Sequence, residues 1–376
     1  MLNKSLLNHE TRLLLKVLQD SATATDVQLA DPDKFLATCQ RHRLTNIVCQ
    51  RHQHQLTLLP KTTQQRFAEE NRNSGLRQLQ NISAMERLCS EFEQLGIRYQ
   101  LIKGAPLAEL LYQDVGARMS RDIDIIVYRP HFSQACAVVE KQGYQIKDLP
   151  TAMHHSYVNA ADIIVELHTQ LSLFGMGELS TFSSKLSALN SIIIAGRNYR
   201  LPDINEYFVY LCYHGATHGW YRLLWLVDVV EFRVQSSEFR VDFREVERIA
   251  QKYGLTDVVG QALALARDLL GFKPPDDFMI SKRAEQLAAD ALELAIVRDC
   301  PLDDCFAFML RPKREFLYQL RVQGSYWNRL LYLVTPTVND RRQLVLPKFS
   351  EKSYYLIRPL LLGYRVLKKT LATDRS

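Results

Sequence analysis

The stretch Asp122-Ile123-Asp124-Ile125-Ile126-Val127 restricts this chain more than any other, because it sets two acids inside a run of β-branched residues. Side chains alternate faces along a strand, so Asp122 and Asp124 share one side while Ile123, Ile125 and Val127 share the other. Residues two apart on a strand lie roughly 6.5 Å from each other. Like charges held side by side are costly unless a cation sits between them. The spacing suits a pair of divalent ions about 3.5–4 Å apart, the arrangement used in two-metal phosphoryl transfer. An edge strand whose polar face pairs with Arg118 and Arg121 would carry the same pattern, so the neighbouring residues decide.

Three neighbouring features favour the metal reading. Lys103-Gly104 closes the β-prone run Ile97 to Ile102 and precedes a predicted helix, Pro106 to Tyr112. Glycine lets a ligand approach the backbone, and a helix N-terminus offers unpaired N–H groups to phosphate. The basic residues Lys103, Arg118 and Arg121 bracket the acids and would neutralise phosphate charge that metal does not cover. Glu166 stands in a later predicted strand, Asp162 to His168, where a third carboxylate would complete a metal cluster or accept a proton. His168, two residues on, shares the face of Glu166.

Around this centre the chain reads as helical. Asp31-Pro32-Asp33 predicts a capped helix start, and a long helix is expected from about Thr62 to Leu95, stopped by Gly96. Further helices are expected over His131 to Gln142, Ile204 to His218, Leu223 to Val234, Asp242 to Tyr253, Asp257 to Leu270, Arg283 to Val297 and Tyr354 to Lys369. The tail helix is expected to pack its leucine stripe onto the core. His154 and His155 are read as part of a solvated loop. The expected fold is α+β: a small mixed β-sheet core with helices on one side, embedded between helical segments. The division is an N-terminal helical region 1–96, an α/β core 97–202 and a C-terminal helical region 203–376.

Composition narrows the class of partner. The 47 Lys+Arg against 41 Asp+Glu give +6, scattered rather than gathered into an arm, so a nucleic-acid template is not expected. Seven dispersed cysteines argue for a reducing compartment, and Cys300 with Cys305 lack the second pair that a zinc site needs. No transmembrane segment or signal peptide is read, and the expected location is the cytoplasm.

LIKGAPLAELLYQDVGARMSRDIDIIV from Leu101 to Val127, Gly143-Tyr144, and VELH from Val165 to His168 resemble the nucleotidyltransferase superfamily of DNA polymerase β type. Within it they resemble a poorly characterised bacterial family. HGATHGWYRLLWLVDVVE, from His214 to Glu231, and Arg358-Pro359 resemble that family's helical part. The resemblance implies two Mg²⁺ (or Mn²⁺) ions held by Asp122, Asp124 and Glu166. It implies transfer of a nucleoside monophosphate from an NTP to an acceptor hydroxyl on a small molecule, glycan or protein. Lys103, Gly104, Arg118, Arg121, His168, His214 and His218 are the expected substrate contacts. His214 and His218, four apart on a helix, are read as a polar face turned to the cleft; a metal site with Asp228 is the lesser alternative. Gly104-Ala105 stands where the superfamily has Gly-Ser or Gly-Gly, which leaves open a degenerate nucleotide-binding or scaffold protein.

Overall fold

The computed structural model describes residues 2–28, 30–148, 150, 154–171, 191–234, 240–276, 278–296, 312–336, 340, 341, 344 and 353–373. The fold is α+β. Five strands form a mixed sheet: β1 (Tyr99–Ile102), β2 (Asp122–Val127), β3 (Gln145–Ile146), β4 (His154–Val158) and β5 (Ile164–His168), in the order β1-β2-β5-β4-β3. β2 pairs antiparallel with β1 and parallel with β5, so the acid-bearing strand is interior and the edge-strand alternative falls. A second sheet is a hairpin of β6 (Ser191–Ile194) and β7 (Arg197–Arg200). Its two turn residues, Ala195 and Gly196, have φ of 50° and 79°, the left-handed pair that a tight hairpin needs.

The alternation in β2 sorts the sheet into two faces. Ile123, Ile125, Val127, Val165, Leu167 and Tyr157 form one apolar cluster with Ile82, Met85, Leu88 and Phe92 of the long helix Lys61–Gln94. Val138 and Val139 of the helix Phe132–Lys141 join them. Helices thus cover one side, and the acids are left on the other.

Local signals set the helix ends. Asp31 accepts from the Asp33 and Lys34 amides, capping Pro32–Arg41. Gly96, at φ 66°, follows the long helix. The helix Lys282–Ala291 passes into a π-helical turn, Leu292–Ile296. The helices at both ends of the chain share one core, in which Leu13 and Leu14 join Leu263 and Leu265. Gln19 donates to the Leu269 carbonyl at 3.0 Å across that junction.

Two expectations are corrected. His154 and His155 lie on β4, not in a loop. The missed signal is the turn after it, where the Asn159 side chain accepts from the Ala161 and Ile163 amides and reverses the chain between two β-prone runs. The tail helix, Tyr354–Thr373, buries Tyr354, Arg358 and Leu362 and leaves Leu356, Leu360 and Leu367 exposed. Ion pairing decides that orientation: Asp340 holds Arg358 at 2.8 Å and Arg365 at 2.5 Å. Cys300 and Cys305 lie outside the described residues; Cys39, Cys49, Cys89, Cys136 and Cys212 are free thiols. Among the described residues no helix is long and apolar enough to cross a membrane.

Candidate active site

Register across β2, β5 and β4 assembles the acids. Asp124 stands opposite Glu166, and Glu166 opposite Ser156; His168 stands opposite Ile126 on one side and His154 on the other. Residues opposite one another share a face, as do residues two apart. Asp122, Asp124, Glu166, His168 and His154 therefore occupy a single face, the one turned away from the long helix.

The turn before β2 is pinned from behind. Gln78 and Asn81 of the long helix donate to the Ser120 carbonyl at 2.8 and 3.3 Å. The Ser120 hydroxyl donates to Asp122 Oδ1 at 3.1 Å. Lys103, just past β1, has φ 57° and ψ −155°, a region that costs a non-glycine residue roughly 1–3 kcal/mol. Its N–H donates to Tyr207 Oη at 2.8 Å, which holds that conformation. The result is to aim the ammonium inward: Lys103 Nζ lies 2.9 Å from Asp124 Oδ1.

Charges in this row neutralise one another. His168 Nε2 lies 3.3 Å from Asp124 Oδ1 and 3.5 Å from Glu166 Oε2, and His154 Nε2 lies 3.4 Å from the same Glu166 oxygen. Burial opposes the charge on His168, but Asp124 and Glu166 raise it to about 9. Burial likewise works against Lys103, and Asp124 more than offsets it. Burial pushes the Asp124 carboxyl up, yet Lys103 and His168 outweigh it and hold it below its usual range. Burial also raises Glu166, and the two histidines bring it well below the usual range. Asp122 is the exception: burial, then Asp124 and Glu166, push its carboxyl up. An acid raised by neighbouring acids is short of a cation.

The donor set fits a divalent ion. Three carboxylates share one face, and Asp124 is 2% exposed while its Oδ2 takes no hydrogen bond from the described residues. A buried oxygen left in that state calls for a partner.

In front of the row opens a cleft of about 410 Å³. Lys103, Glu166 and His168 line one side; Tyr210, His214 and His218 of the helix Ile204–Thr217 and its C-cap line another, with Gln319, Gln323 and Tyr332 completing it. Burial and the Lys103 charge hold His214 well below the ordinary histidine value, so it presents a neutral imidazole. The His214 and His218 rings are 4.7 Å apart and both meet Trp225 at 5.1 Å.

The basic residues are distributed unevenly. Arg118 is not beside the acids' oxygens; it is buried against Asp228, with Nη2 to Oδ2 at 3.0 Å. Tyr112 Oη also donates to Asp228, at 2.9 Å, so Asp228 braces the core to the helix Leu223–Val234 and is not the third member of a metal site with His214 and His218. Arg121 is exposed and among the charges that act on Arg43. Arg43, whose charge acts on Asp122, and Arg222, which stacks over the Tyr221 and Trp225 rings, were not foreseen. Nor were Tyr207 and Tyr210, because each reaches the site from a helix about a hundred residues away in the chain, where no local pattern marks it.

Neither the curated proteins nor the solved structures yield a match to this chain. A family model described as "Uncharacterised nucleotidyltransferase" matches residues 28–271, a span that contains every strand and the helices framing the cleft. The chain belongs to that nucleotidyltransferase family.

Proposed function

We propose that this protein transfers a nucleoside monophosphate from an NTP to an acceptor hydroxyl, using divalent metal held by Asp122, Asp124 and Glu166. The observation that carries the reading is the row itself: three carboxylates on one sheet face, one with a buried unbonded oxygen, at the edge of a cleft. Bound Mg²⁺ or Mn²⁺ would neutralise the triphosphate and lower the barrier at the α-phosphorus. Asp122 and Asp124 are the principal ligands. A carboxylate held as low as Glu166 is a weak base and a ready ligand, which favours a ligand role over proton acceptance.

Lys103 has two partners in this account. Without metal it neutralises Asp124; with metal in place the ammonium is released toward the phosphates, beside Gly104 and the first turn of the helix Gly104–Tyr112. Arg121 and Arg43 supply further positive charge near Asp122, while Arg118 holds the scaffold. The far side of the cleft offers neutral hydrogen-bonding groups, His214, Gln319 and Gln323, which suit an uncharged acceptor hydroxyl.

The test is to incubate the protein and an α-labelled NTP with Mg²⁺ or Mn²⁺ and candidate acceptors. Metal-dependent pyrophosphate release with label on the acceptor is expected. Tight metal–NTP binding without any release supports the second reading, a nucleotide-binding protein that does not turn over. Ala105, in place of the hydroxyl residue, is the feature that favours it.

A further inference from the structure

We infer that His154, Glu166 and His168 form a binding site for a nitrogen-seeking transition-metal ion of the Zn²⁺ type. The inference rests on the nucleotidyltransferase reading at one point, the placement of Glu166 among the metal-holding acids. Three donor atoms, one from each residue, lie within 4.8 Å of one another. Both imidazole Nε2 atoms face the same Glu166 oxygen, at 3.4 and 3.5 Å. Those separations exceed the roughly 2.7–2.9 Å of a charge-assisted hydrogen bond. They match the edge of a tetrahedron around an ion about 2.1 Å from each ligand, roughly 3.4 Å.

The backbone makes the set rigid. His154 and His168 are register partners on the adjacent antiparallel strands β4 and β5, and Glu166 is two residues from His168 on the same face. Their rings sit 4.7 Å apart and tilted by 36°, so neither fills the space before the carboxylate. A second observation points the same way: the buried, unbonded Asp124 Oδ2 belongs to the carboxylate whose other oxygen is 3.3 Å from His168 Nε2. Glu166 and His168 line the cleft, so the remaining coordination position opens to substrate. Three protein ligands with one open position is the pattern of a catalytic rather than a structural zinc site. Two imidazoles select against Mg²⁺, which prefers oxygen.

The experiment titrates the metal-stripped full chain with Co²⁺, Zn²⁺ and Mg²⁺ by calorimetry and follows the visible Co²⁺ spectrum. One Co²⁺ per chain, displaced by Zn²⁺ and bound more tightly than Mg²⁺, is expected. His154→Gln and His168→Gln, checked for folding by circular dichroism, should each weaken Co²⁺ by more than the roughly 10–100-fold typical of a lost outer-shell partner. Asp122→Asn should leave the Co²⁺ spectrum intact. An unchanged spectrum in both histidine variants, or Co²⁺ bound no more tightly than Mg²⁺, overturns the inference. If Co²⁺ binds as described but no NTP binds with Mg²⁺, the metal site stands and the transferase reading fails; NTP binding without the Co²⁺ site gives the reverse.

Discussion

Lys103 Nζ lies 2.9 Å from Asp124 Oδ1, with 13% of the lysine side chain and none of the aspartate side chain exposed. The cation that two strand-borne acids require is therefore supplied in part by the protein. The acids are consequently unequal. Asp124→Asn strands a buried ammonium, and breaking such a pair from one side costs about 3–5 kcal/mol. Asp122→Asn removes a carboxyl that burial and two other acids already disfavour, so stability should hold or rise. Urea unfolding of the two metal-free variants decides this; equal losses would contradict it.

That inequality shows what could be read from local pattern. The strand Asp122–Val127, the shared face of its acids, the Asp31 cap and the stop at Gly96 all follow from periods and caps within a few residues. Lys103 was recognisable as a site residue, but its partner was not, since the pairing depends on how β1 and β2 align. Arg118 looked like a phosphate ligand for the same reason: its partner Asp228 lies 110 residues on. His154 was missed because a single polar strand turns on one asparagine-led reversal.

His168 gives the metal-free protein a specific pH dependence. Its folded-state value, about 9, lies above the unfolded value of 6.5, so its stabilisation is complete below pH 6.5 and is lost as pH rises through 9. The shift corresponds to roughly 3 kcal/mol. Unfolding free energies measured across that window should fall in wild type and flatten in His168→Gln. Parallel curves would remove His168 from the charge network.

Arg118 and Asp228 should behave as a brace. Arg118→Ala leaves Asp228 buried without its cation and should cost about 3–5 kcal/mol. The double variant Arg118→Met, Asp228→Leu should recover much of that loss, because hydrophobic replacement of a buried pair is often neutral. A double variant as unstable as the single one would show that the pair does more than neutralise itself.

Gly104 and Lys103 should separate backbone geometry from phosphate grip. Gly104→Ala meets no atom closer than 3.6 Å, so its effect is the left-handed φ of 55°, a strain of roughly 1–2 kcal/mol. Lys103→Ala should weaken NTP binding more than nucleoside binding, since the lost contact is to phosphate. Equal losses for both ligands would place Lys103 in the scaffold alone.

The central claim is that the acid row holds metal for a triphosphate, and Asp122 tests it most directly because its removal spares the fold. The measurement is calorimetric NTP affinity, with Mg²⁺ and with EDTA, for wild type and Asp122→Asn. The account predicts binding that requires Mg²⁺ in wild type and is lost in Asp122→Asn while the melting temperature is kept. NTP affinity that ignores both EDTA and Asp122→Asn would contradict it.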